Sequence, residues 1–138
     1  MFLPDINVLI AVADADHVHH TKAEAFFLAN HRRGWATCPL TENGFVRIVG
    51  NPKAYPKGPG NTDAACAILK QLCAYEGHRF WPDDVSIRSM AGLPIARHLT
   101  DHYLLCLAMH RQGKLVTFDR HIDATLIPGG TAAYVVLS

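Results

Sequence analysis

The chain has 138 residues, 49% apolar and 18% charged, with 13 basic against 12 acidic side chains and a formal charge of +1. This composition excludes a disordered, collagen-like or low-complexity chain, and the length suits one domain that buries roughly two-thirds of its unfolded surface. No apolar run approaches the ~20 residues of a membrane span, and the opening Met-Phe-Leu-Pro-Asp lacks the features of a signal peptide. The expectation is therefore a single cytoplasmic domain over residues 1–138 with no membrane partner.

Phe2-Leu3, before Pro4-Asp5, reads as a very short strand, and Asn7 to Ala13 as an apolar stretch of helix. His17 to Arg33 carries Ala23, Phe26, Phe27 and Ala29 at helical spacing and is stopped by Gly34. Trp35 to Cys38 is a second strand, and Pro39 suits the first turn of a helix that runs to Gly50. Asn51 to Asn61 holds three prolines and two glycines and must be an irregular loop. Thr62 to Glu76 returns to helix, capped by Asn61 or Thr62. His78 to Trp81 is a third strand, residues 83–97 read as a short helix and a loop, and Leu99 to Gln112 is the clearest helix. Leu115 to Phe118 and Ala132 to Leu137 complete the strands. Such alternation implies an α/β fold with a mostly parallel sheet of about five strands and helices on both faces. Ligands then bind beyond the carboxyl ends of the strands.

Two aspartates follow apolar strands directly, Asp5 and Asp119, and two further acids head helices, Glu42 and Asp101. Each alone is explained by helix capping, which stabilises by about 0.3–2 kcal/mol. Four together, from four separate segments on one sheet edge, are harder to dismiss. Clustered carboxylates repel and raise one another's pKa unless a cation neutralises them. All-oxygen ligation with retained waters suits Mg²⁺ or Mn²⁺.

Four cysteines, Cys38, Cys66, Cys73 and Cys106, form no Cys-x-x-Cys pair and are expected as reduced core residues. Trp35 and Trp81 read as core anchors. Nine histidines raise a competing zinc reading. His17, His19 and His20 lie close in sequence, and His98 and His102 share a helical face, yet no cysteine pair or His-Glu-x-x-His motif supports it. His17 or His19 is expected to start the second helix, and His98 and His102 to face the region of Asp101. Lys53, Tyr55 and Lys57 bring cationic and aromatic groups into one loop, a candidate RNA or partner contact. Arg32, Arg33, Arg79, Arg88 and Arg97 are too scattered to define a stripe.

The runs Asp5-Ile-Asn7-Val-Leu-Ile10, Thr41-Glu42-Asn-Gly44, Leu99-Thr100-Asp101 and Thr117-Phe-Asp119-Arg120 resemble the PIN-domain ribonucleases. More narrowly, they are similar to the VapC toxins of bacterial type II toxin–antitoxin systems. The resemblance implies a PIN-like three-layer α/β/α sandwich and an acidic pocket with one or two Mg²⁺ or Mn²⁺ ions. It also implies hydrolytic cleavage of RNA, with tRNA or rRNA as plausible substrates, neutralisation by a small VapB-type antitoxin, and homodimerisation. Position by position, Asp5, Glu42, Asp101 and Asp119 match the metal-holding catalytic acids, and Asn7 and Thr117 match polar positions beside them. Arg120 is a candidate phosphate contact. Pro4 departs from the apolar strand residue of many relatives. Two other readings stand beside this one: a Mg²⁺-binding phosphoryl-transfer or receiver-like domain, and a non-catalytic module whose acids only cap helices. The first is disfavoured because Asp5-Ile-Asn7 replaces a paired-aspartate motif and Arg120, not lysine, follows Asp119.

Overall fold

Alternation of side chains along very short strands organises the molecule, which a computed structural model describes over residues 1–138. The strands are β1 (Phe2–Pro4), β2 (Trp35–Thr37), β3 (His78–Phe80), β4 (Lys114–Thr117) and β5 (Tyr134–Val136). They form one sheet in the order β3-β2-β1-β4-β5, with every pairing parallel. The helices are α1 (Ile6–Ala13), α2 (His20–Asn30), α3 (Pro39–Val49), α4 (Thr62–Cys73), α5 (Leu99–His110) and the short α6 (Gly130–Ala133).

Successive strand residues point to opposite faces, and so the sheet separates two cores. Leu3, Ala36 and Leu115 pack with Leu104, Leu105, Leu107 and Ala108 of α5. Phe2, Trp35 and Val116 pack instead with Leu9, Phe27, Phe45 and Leu69 from α1 to α4. Trp35 and Trp81 are both buried, as anchors of these two cores. The result is the expected three-layer α/β/α sandwich. Strand order reverses at β1, between β2 and β4, the place where such sheets open a crevice for ligands.

Pro4 shapes that centre. The N–H groups of Phe2 and Asp5 donate to Gly34 on the β2 side and Val116 on the β4 side, respectively. By alternation Pro4 faces β2, where it has no N–H to give. The β1–β2 ladder accordingly has one register pair, Phe2 with Trp35, whereas β1–β4 has three.

Several boundaries differ from the sequence expectation. The second helix starts at His20, because residues 17–19 form a turn in which His17 Nδ1 accepts the His19 N–H (3.0 Å). Its end tightens into a 3₁₀ turn, His31–Arg33, before Gly34 at φ +109°. The fourth helix stops at Cys73 rather than Glu76, and Gly77 turns the chain at φ +95° into β3. A Cβ on Gly77 would lie 1.9 Å from the His31 carbonyl oxygen, so a side chain has no room there. Residues 83–97 hold two 3₁₀ turns, Ile87–Ser89 and Ala96–His98, and no α-helix. Ala132 belongs to α6, not to the last strand, because left-handed Gly129 starts a helical turn just before it. All four cysteines are free, but only Cys38 is fully buried.

Candidate active site at the carboxyl edge of the sheet

Asp5 leaves β1 and caps α1. Its Oδ1 accepts the Val8 N–H at 2.9 Å, and its Oδ2 accepts the Thr117 hydroxyl. That hydroxyl oxygen also accepts the Asp119 N–H at 3.0 Å. One threonine at the end of β4 therefore ties together the two aspartates that follow the adjacent strands β1 and β4. The carboxylate of Asp119 is held in turn by the His121 N–H at 2.8 Å.

Asp101 enters from the first turn of α5. Asp5 is 2% exposed, and burial pushes its carboxyl up to about 6, with the Asp101 charge adding to the rise and the bonds from Thr117 and Val8 opposing it. Asp101 is also raised, by burial first and then by Asp119, with His98 acting the other way. Asp101 thus lies within electrostatic reach of both Asp5 and Asp119, which follow the adjacent strands β1 and β4.

Tyr134, which the sequence reading passed over, borders the same group. Its hydroxyl donates to the Asp119 carbonyl oxygen, and burial followed by the charges of Asp119, Asp101 and Asp5 raises its pKa. An isolated tyrosine at the start of a strand carries no local signal of such a position.

Glu42 is placed differently. It sits in the first turn of α3, and its Oε2 accepts the Thr37 hydroxyl at 2.7 Å. The same hydroxyl oxygen lies 2.8 Å from His78 Nε2. Thr37 shares the Trp35 side of the sheet, whereas Thr117 shares the Leu115 side that faces α5. The carboxylate of Glu42 is therefore bonded on the α1–α4 side of the sheet, where it lies beside Cys73 and His78. One ligand atom from each of Glu42, Cys73 and His78 lies within 4.8 Å of the others. Burial, and then the charge of Glu42, pushes the Cys73 thiol up to about 11. The His78 imidazole is lowered by burial, with Glu42 opposing.

The remaining candidates lie around these groups. The Asn7 side chain is exposed, while its N–H contributes to the Asp5 cap. Arg120 is exposed beside Asp119, and Arg97 is exposed four positions before Asp101. Lys53 and Lys57 are exposed, but the Tyr55 hydroxyl donates to Asp14. Tyr55 and Lys57 line a cavity of about 330 Å³ with Ile10, Ala13 and Asp14, at the far end of α1 from Asp5. His98 acts on Asp101 as expected, but His102 does not face that site: it is buried against a separate cavity lined by Val85, Gly92, Cys106 and Leu126. The His17–His20 turn meets the acidic edge through His19, whose ring stacks on Phe118 at 4.7 Å.

A sheet of this order with aspartates after β1 and β4 and on α5 defines a PIN domain. The sequence profile of the PIN domain matches residues 2–125, and the chain belongs to that family. Within it the chain is VapC-like. It is similar to Ribonuclease VapC38 of Mycobacterium tuberculosis, with 48% identity over 122 residues that cover 86% of this chain and 85% of the relative. Ribonuclease VapC44 of the same organism is 39% identical over 138 residues, 96% of each chain. Ribonuclease VapC39, also of that organism, is 43% identical over 122 residues, 85% of this chain and 87% of the relative. No helix is long and apolar enough to cross a membrane.

Proposed function

We propose that the protein is a divalent-metal-dependent endoribonuclease toxin of the VapC type, working at the Asp5–Asp101–Asp119 edge. The observation that carries this reading is the juxtaposition of three carboxyl groups, two of them raised by burial and by a neighbouring carboxylate, Asp5 by Asp101 and Asp101 by Asp119. Family membership and relatives named ribonucleases support the substrate class.

The donor set fits Mg²⁺ or Mn²⁺: it is all oxygen, and like charges held together in a partly buried crevice are stabilised by a small hard cation. When bound, such an ion neutralises charge on a phosphoryl oxygen and acidifies water. The chain does the rest. Asp5, Asp101 and Asp119 would hold the ion, and Thr117 fixes the relative orientation of Asp5 and Asp119. Tyr134 anchors the turn after β4. Glu42, bonded to Thr37 in the structure, would help hold the ion or orient the attacking water. Arg120, exposed beside Asp119, and Arg97, exposed four positions before Asp101, take phosphate oxygens of the RNA backbone. Lys53 and Lys57, which flank Tyr55 in the sequence, offer a second contact for RNA or for a VapB-type antitoxin. Homodimerisation and a cytoplasmic site of action complete the reading.

The test is cleavage of total RNA by the purified chain with Mg²⁺, with Mn²⁺, and with EDTA, alongside Asp101→Asn and Asp119→Asn. Cleavage should need the cation and fall at least ~100-fold in each variant, while circular dichroism shows an intact fold. Undiminished cleavage by both variants in EDTA overturns the proposal.

A further inference from the structure

We propose that Glu42, Cys73 and His78 form a second, softer cation site, selective for zinc, that competes with the nuclease edge for Glu42. The binding stands on the geometry of these three side chains; the inhibition it causes rests on the nuclease reading above.

The donors are a carboxylate oxygen, a thiol sulfur and an imidazole nitrogen, all within 4.8 Å of one another. Zinc takes all three donor types at about 2.0–2.3 Å in tetrahedral geometry, which sets ligand-to-ligand distances near 3.5 Å. Modest side-chain rotation closes that difference. A thiolate selects zinc over Mg²⁺, whereas the all-oxygen edge beside Asp5 has the opposite preference. The two sites thus discriminate by chemistry.

The ligands come from three fixed places: the first turn of α3, the last residue of α4 and the first residue of β3. The His78 ring is packed on Trp35 at 4.7 Å. Fully buried Thr37 lies between imidazole and carboxylate, at 2.8 and 2.7 Å, and keeps both pointed into the same space. All three ligands are half-buried, so an ion can reach them and a water can fill the fourth position. On binding, the Cys73 S–H bond breaks, its proton passes to solvent, and sulfur bonds to the ion; Thr37 gives up its two partners in exchange for the two new coordinate bonds. No other cysteine of the chain has such neighbours: Cys66 and Cys106 belong to no comparable group.

The experiment titrates the whole chain with Co²⁺, a coloured stand-in for Zn²⁺, in excess Mg²⁺. Wild type should develop a sulfur-to-cobalt charge-transfer band that Zn²⁺ abolishes. The band should vanish in Cys73→Ser, weaken at least tenfold in affinity in His78→Asn, and persist in Cys106→Ser. Absence of the band in wild type, or its survival in Cys73→Ser, overturns the site; should Cys73→Ser not fold, full cobalt affinity in His78→Asn overturns it equally. RNA cleavage is then measured against rising Zn²⁺, each protein scaled to its own rate in Mg²⁺ alone. Inhibition should need at least tenfold more zinc in Cys73→Ser; equal zinc sensitivity overturns the capture of Glu42. A wild type that never cleaves RNA defeats the nuclease reading while leaving the cobalt result intact.

Discussion

At the scale of single residues, Asp5 and Thr117 carry most of the consequences. Asp5 keeps its proton to about pH 6 in the folded chain, whereas an unfolded aspartate releases it near about 4. Between these values the folded state binds more protons, so stability falls as pH rises through the window. The loss is about 3 kcal/mol at neutral pH, the free-energy equivalent of a two-unit shift. Asp5→Asn should therefore melt at a higher temperature than wild type at pH 7.5 in EDTA, and the gap should close below pH 4. Equal melting temperatures at both pH values would contradict the account. Thr117→Val removes a hydroxyl that serves both aspartates and leaves the Asp119 N–H without an acceptor. Denaturant titration should find it about 1–3 kcal/mol less stable.

At the scale of elements, turns decide what the helices and strands can reach. Gly77 couples the end of α4 to β3 at a positive φ and in contact with the His31 carbonyl. Gly77→Ala adds both backbone strain and a clash, and should cost at least ~2 kcal/mol in chemical denaturation. The sequence made the elements readable because apolar strands alternate with capped helices, and the Pro- and Gly-rich stretch at 51–61 could hardly be anything but loop. Element ends were less legible. Nothing local distinguishes a helix that stops at Cys73 from one that continues to Glu76, since the stop is set by where Gly77 must pass His31. Likewise, the positions of Asp5, Asp101 and Asp119 followed from strand and helix ends. The partner of Glu42 did not, because Thr37, Cys73 and His78 are scattered and form no spaced motif. It becomes visible only once alternation along β2 assigns Thr37 to the opposite side from α5.

At the scale of the whole molecule, the crevice concentrates unfavourable charge in one place and is stabilised by whatever neutralises it. Mg²⁺ should raise the stability of wild type by about 2.7 kcal/mol at a hundredfold excess over its dissociation constant. Scanning calorimetry with and without the ion checks this, and the gain should vanish in the Asp5→Asn/Asp101→Asn double variant. The two cores on either side of the sheet give each half of the site its own scaffold. Asp101 rides on α5, whereas Glu42, Cys73 and His78 belong to the layer opposite.

Pro4 gives this architecture a fault line. With one register pair to β2 and three to β4, the central strand is laced firmly to one neighbour and loosely to the other. Within the sheet, the β1–β2 seam is therefore the one held by the fewest backbone pairings. Asp5 and Asp119 follow strands on its well-paired side, and Glu42 follows the strand on the other.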